Sequence, residues 1–167
     1  EFSTYINDVV ANSRSIASTL IEKGYEVVTG GTDNHIVLWD ARPLGLTGSQ
    51  LEKVLDEVEI STNKNTLYGD TSALNPGGIR LGSCAVTTRE MGEKDMVTIV
   101  GFLDRAAQVA GHVNMELLTK KEGLTKNGKV GIKAFGAAVE NHDEVVELRR
   151  DVRAFAQSFP LPGLDPQ

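Results

Sequence analysis

An arginine set between two apolar residues, directly after a proline and two glycines, constrains this chain more than any other feature. The segment is Pro76-Gly77-Gly78-Ile79-Arg80-Leu81-Gly82. Side chains along a strand alternate between faces. Ile79 and Leu81 are therefore expected to anchor in a core while Arg80 points away from it. The paired glycines let other groups approach the backbone closely just before the strand. Upstream, Asn63-Lys64-Asn65 and a polar loop complete the stretch. The result is a guanidinium fork beside an open loop. A planar fork with paired donors suits a carboxylate or phosphate better than an ammonium does. On spacing alone, Arg80 also fits a solvated strand arginine, and Asn65 a turn residue.

Periodicity supplies the surrounding elements. Tyr5, Val9, Ile16 and Leu20 predict a helix over residues 1–23, with Gly24 as its C-terminal glycine. Residues 25–29 and 35–40 read as strands, and the continuous apolar run of the second predicts cover on both faces. Thr47 and Gln50 form a capping-box pattern opening a helix over 47–59, with Leu51, Val54, Leu55 and Val58 as its buried stripe. Residues 60–62 read as a short strand leading to Asn63. A long helix is predicted over 93–120, followed by a mobile polar connector over 120–133. Asn141 or Asp143 is expected to cap the last helix, whose stripe is Val145, Leu148, Val152, Phe155 and Phe159. Pro160 and Pro162 stop it. This order predicts an α/β two-layer domain, a small sheet with helices against it.

The chain has 167 residues, long enough for one domain with a real core. Its net charge of −6 and pI near 5.1 argue against nucleic acid or an anionic membrane as the main partner. A local arginine can still hold a small anion. Cys84 is the single cysteine, so no internal disulfide is possible and a reducing compartment fits. No apolar run is long enough to span a membrane, and no signal peptide is visible.

Other motifs lead nowhere. His35, His112 and His142 lack metal-ligand spacing, so no metal site is expected. Ser61-Thr62-Asn63-Lys64 has the S-x-x-K spacing but no companion S-D-N or K-T-G element. There is no phosphate-binding glycine loop of the Walker or dinucleotide type.

The run NKNT, then GD-x-SAL-x-PGGIRLG, resembles serine hydroxymethyltransferase, as do GGTDNHIVLWD with ARPLGLTG upstream and AVTTRE, EKDM and FPLPG downstream. That resemblance implies the small C-terminal domain of a fold-type I pyridoxal-phosphate enzyme, with a mainly antiparallel sheet. Residues 1–24 would be the linking helix from a large cofactor-binding domain, and 25–167 the small domain. It implies pyridoxal-phosphate-dependent interconversion of serine and tetrahydrofolate with glycine and methylenetetrahydrofolate. By the same resemblance Arg80 grips the amino acid carboxylate, Asn65 hydrogen-bonds the folate pterin, and Arg89 braces the loop. The family's Schiff-base lysine follows Thr-Thr-Thr-His, and no His-Lys dipeptide occurs here. No catalytic residue is therefore expected in this piece, which would be inactive alone. The implied partners are its own large domain, further copies in a homodimer or homotetramer, and serine, glycine and folate. The implied location is the cytoplasm or a mitochondrial or plastid matrix. Two other readings share Arg80: a non-catalytic binding or assembly module from that family, and a relative acting on another amino acid. The chain departs from the family at Ser83-Cys84, where Thr-Pro is common, at Glu90, where glycine is common, and at Tyr68, where proline is frequent.

Overall fold

Four short strands pair antiparallel in the order β1-β2-β4-β3: β1 (Glu26–Val27), β2 (Ile36–Asp40), β3 (Asn63–Asn65) and β4 (Gly78–Gly82). The computed structural model describes residues 2–163. Glu1 and residues 164–167, the outer ends of the predicted first helix and small domain, lie outside them. Across β2 and β4 the register sets Val37 opposite Leu81, Leu38 opposite Arg80 and Trp39 opposite Ile79. Across β3 and β4 it sets Asn63 opposite Arg80 and Asn65 opposite Gly78. Residues facing each other across a ladder share a face. Val37, Trp39, Ile79 and Leu81 therefore form one face, and all four are buried. Leu38, Arg80, Asn63 and Asn65 form the other, where none is fully buried.

Helices cover only the buried face. They are α1 (Phe2–Glu22), α2 (Gly48–Glu57), α3 (Cys84–Thr88), α4 (Glu93–Lys120), α5 (Ile132–Val139) and α6 (Asp143–Gln157). α4 runs behind the sheet and packs on α1, α2, α5 and α6. The core joins Leu20 of α1, Leu51 and Leu55 of α2, and Met96 and Leu103 of α4 to Trp39 and Ile79 of the sheet. Burying a large apolar side chain contributes about 1.5–3 kcal/mol. Tyr25 meets Trp39 edge-on, with ring centroids 4.9 Å apart. Its hydroxyl donates to Asp104 Oδ1 at 2.5 Å, and Lys23 donates to Oδ2 at 2.9 Å. Burial, then the Asp104 carboxylate, pushes the Tyr25 pKa up, so the phenol stays protonated.

The α/β two-layer class holds, and so do the predicted long helix and the capping box. Thr47 N–H donates to Gln50 Oε1 at 2.9 Å, and Gln50 N–H to Thr47 Oγ1 at 3.2 Å. Gln50 also reaches Asn114 Oδ1 at 2.8 Å, tying α2 to α4. Other expectations need correction. β2 is covered on one face only, because Leu38 sits beside Arg80 on the open side. The strand expected at 60–62 forms at 63–65, where β4 offers hydrogen-bond partners. The N-cap of α6 is His142, without a side-chain capping bond. The helices α3 and α5 are too short to show periodicity. Between α4 and α5 the connector makes an antiparallel bridge, Leu124 to Val130.

Helix ends put one of the sequence departures, Glu90, in geometric terms. Gly24 takes φ +87°, and Tyr25 N–H closes back on the Leu20 carbonyl at 3.0 Å. The same Schellman closure ends α3: Met91 N–H reaches Val86 O at 3.2 Å and Glu90 N–H reaches Thr87 O at 2.9 Å. Here the left-handed position is held by Glu90, at φ +63°. A non-glycine residue in that region is strained. Glu90→Gly is therefore expected to raise stability by about 0.5–1 kcal/mol, partial relief because glycine also enlarges the entropy of the unfolded chain. Chemical denaturation measures it; an equal or lower midpoint at unchanged slope would contradict the strain.

Candidate functional site

The sheet's open face carries a concavity of about 830 Å³, bounded by residues 28–34, Ile36, Leu38, Asn65 and Arg80. Period-two alternation places Arg80 there. Ile79 and Leu81 are fixed in the core, so the residue between them must project outward. Its neighbours across the ladders are Leu38 on one side and Asn63 on the other.

Arg80 differs from the other arginines in what surrounds it. Arg14, Arg42, Arg105, Arg149, Arg150 and Arg153 each reach a carboxylate. Arg89 donates to the carbonyls of Pro160 and Phe159 at 3.1 Å each, and to that of Ala156. Arg80 has no hydrogen-bond or carboxylate partner among the described residues and is exposed. It presents a free cationic fork with Leu38 as an apolar wall. Asn65 is half-buried at the end of β3, and its side-chain amide donates to the Thr66 carbonyl at 2.8 Å. One amide N–H and the side-chain oxygen remain for a ligand. Arg80 and Asn65 thus open onto one depression. Arg89 stands apart from it, at the C-terminal end of α6.

The paired glycines work through close approach, since neither needs a left-handed φ. A Cβ on Gly78 would sit 2.7 Å from Leu67 Cγ and 2.9 Å from the Asn65 carbonyl oxygen. Such contacts would push β3 from β4, and Asn65 with it.

A family model described as serine hydroxymethyltransferase matches residues 1–103. This chain belongs to the serine hydroxymethyltransferase family. It is 43% identical to serine hydroxymethyltransferase 5 of Arabidopsis thaliana over 97% of its own length and 32% of that protein's. It is 42% identical to the cytosolic serine hydroxymethyltransferase of Oryctolagus cuniculus, over 98% of this chain and 33% of the relative. Serine hydroxymethyltransferase 3, chloroplastic, of Arabidopsis thaliana is 39% identical over 98% and 30%. The chain spans about a third of the length of these relatives. Among the described residues no helix is long and apolar enough to cross a membrane. No group of three or more potential metal ligands occurs among them either.

The family implies pyridoxal phosphate, and these residues do not fit it. An imine-forming lysine must lose its proton easily, by desolvation or a neighbouring cation. Every lysine here is exposed or half-buried. Lys53 and Lys120 are pushed the other way: hydrogen bonds to Glu57 and Glu116 raise their pKa. His35 is exposed, and Asp33 beside it faces Arg14 at 3.5 Å, so the two form no acid–base pair.

Sequence reasoning missed the group that holds the loop between Asn65 and Gly78. Asp70 Oδ2 accepts from the backbone N–H of Leu67 and of Gly77, each at 2.8 Å. Those two bonds, Gly77 first, with a smaller pull from Arg42, hold the Asp70 carboxyl below the usual carboxylate range. A depressed folded-state pKa means the stabilisation is fully present above the unfolded pKa near 3.8, and is lost as pH falls through the lower folded value. Amide-exchange protection at Leu67 and Gly77, corrected for intrinsic rates, should therefore collapse in acid before that of α4. Asp70→Asn should weaken it at neutral pH. Protection at both amides that tracks α4 throughout the titration would rule this out.

Proposed function

We propose that this chain is the C-terminal small domain of a serine hydroxymethyltransferase, with residues 1–24 linking it to a large domain. The complete protein would transfer the hydroxymethyl group of serine to tetrahydrofolate, giving glycine and methylenetetrahydrofolate. Pyridoxal phosphate, bound by the large domain, would supply the electron sink for that chemistry. This chain's part is to bind and orient.

The observation that carries the reading is the guanidinium of Arg80 on the open face, unpartnered among the described residues, in a chain of this family. A free fork bounded by Leu38 can take the carboxylate of an amino acid in two parallel hydrogen bonds. Fixing the carboxylate fixes the orientation of the remaining substituents on the α-carbon. Asn65, on the same depression, has a donor and an acceptor for the edge of a pterin ring. Arg89 would act at a distance from substrate, by holding the end of α6. That every lysine is exposed or half-buried supports the further reading that these 167 residues alone do not turn over serine.

Arg80→Ala in the complete protein tests the assignment. Removing a charge-assisted bidentate contact costs on the order of 2–3 kcal/mol. Serine affinity should fall roughly 30- to 150-fold while cofactor content and unfolding midpoint stay unchanged. Serine affinity equal to that of the unaltered protein would refute the role given to Arg80.

A further inference from the structure

Twelve residues without a strand or helix, 66–77, leave the sheet after Asn65 and return at Gly78, and these two end residues face each other across β3 and β4. A long excursion from so short a ladder tends to fray, because closing it costs chain entropy. β3 has three residues and lies at the sheet edge. Asn65 is thus the less secured of the two proposed binding residues. Arg80 lies in β4, paired on both sides.

Beside the buried Leu67 and the bonds from the Ala41 and Gly48 N–H groups to the carbonyls of Gly77 and Pro76, one charged side chain ties this excursion to β2. Arg42 follows β2 and grips Asp40 with two edges of its fork, Nε to Oδ1 at 2.9 Å and Nη2 to Oδ2 at 2.7 Å. Its backbone N–H also donates to Asp40 Oδ1 at 2.9 Å. Asp40 is buried and pairs with Gly78 in the ladder. The free end of the fork, Nη1, donates to the Tyr68 carbonyl at 3.0 Å and comes within 3.5 Å of Asp70 Oδ1. Asp70 in turn holds both ends of the excursion through Leu67 and Gly77. The aliphatic stem of Arg42 lies over Gly77, where a Cβ would come within 2.6 Å of Cδ and 2.7 Å of Cγ. Glycine at 77 is what makes room for it.

We propose that Arg42, locked by Asp40 and acting through Asp70 and the Tyr68 carbonyl, is a positioning residue that fixes Asn65 relative to Arg80. This rests on the roles proposed above for Asn65 and Arg80. It adds an asymmetry: the clamp governs the folate side of the site and leaves the amino acid side to the β2–β4 ladder. A lysine cannot replace Arg42, because one ammonium cannot hold Asp40 in two bonds and reach across to the loop as well.

Binding of tetrahydrofolate and of serine to the complete protein, each measured by calorimetry, tests this for Arg42→Lys, Asp70→Asn and Asn65→Ala. Misplacing a binding group by about an ångström is costly, so Arg42→Lys should weaken tetrahydrofolate about tenfold and serine less than about twofold. Asp70→Asn, which keeps the shape but weakens the acceptor, should show the same split. The double variant Arg42→Lys/Asp70→Asn should be little worse than either alone, because both break one clamp. Arg42→Lys or Asp70→Asn that folds with unchanged tetrahydrofolate affinity, while Asn65→Ala weakens it, would overturn the clamp and leave Asn65 in place. Equal losses for serine and tetrahydrofolate would overturn it too, showing a general loosening. Asn65→Ala with unchanged tetrahydrofolate affinity would instead overturn the folate role of Asn65, and the clamp's proposed purpose with it.

Discussion

The pairing of Trp39 with Ile79, and therefore of Leu38 with Arg80, is the constraint on which the open face depends. Trp39 and Ile79 are sealed between the sheet and the helices. Slipping β4 by one residue would turn Arg80 into that core, where an unpaired charge is far more costly than any gain in packing. The apolar face thus enforces the position of the polar one. Core packing and the proposed ligand chemistry meet here in adjacent residues of one strand.

Around that strand the cations are divided by task. Arg149 and Arg153 lie on Glu57 and Glu59 and join α6 to the end of α2. Arg89 closes the carbonyl end of α6, and Arg42 joins β2 to the loop. These contacts give each fork an internal partner. Among the described residues Arg80 is the arginine left facing an open depression, held by its backbone and not by a counter-ion. The binding role proposed for Arg80 would benefit from that arrangement, since an incoming carboxylate need not displace an internal one.

The helical layer supports the sheet from one side only. α4 runs behind it and carries α1, α2, α5 and α6, while residues 28–34 rise beside the other face. The left-handed residues at helix ends, Gly24, Glu59, Glu90 and Lys121, mark where each chain reversal returns to this layer. Only the first is glycine, so the last turns of three helices carry conformational strain that packing must offset.

Much of this was legible along the chain. Alternation around Arg80 told which way its side chain points, the Thr47–Gln50 pattern marked the start of α2, and period 3.6 outlined α1, α4 and α6. These are local properties, set by which neighbours share a face, and a single chain contains them. The shorter helices α3 and α5 were not legible, because five or eight residues complete too few turns to show a stripe. Whether Leu38 is covered could not be read either, since a continuous apolar run fits one covered face or two. Only the tertiary structure decided that Asp40, Arg42 and Asp70 meet, because the last stands 28 residues from the second and they come together only when β4 lies between β2 and β3. Likewise only the fold left Arg80 without a counter-ion among the described residues: partnerships between distant charges depend on how the chain closes on itself, while the direction of a strand side chain does not.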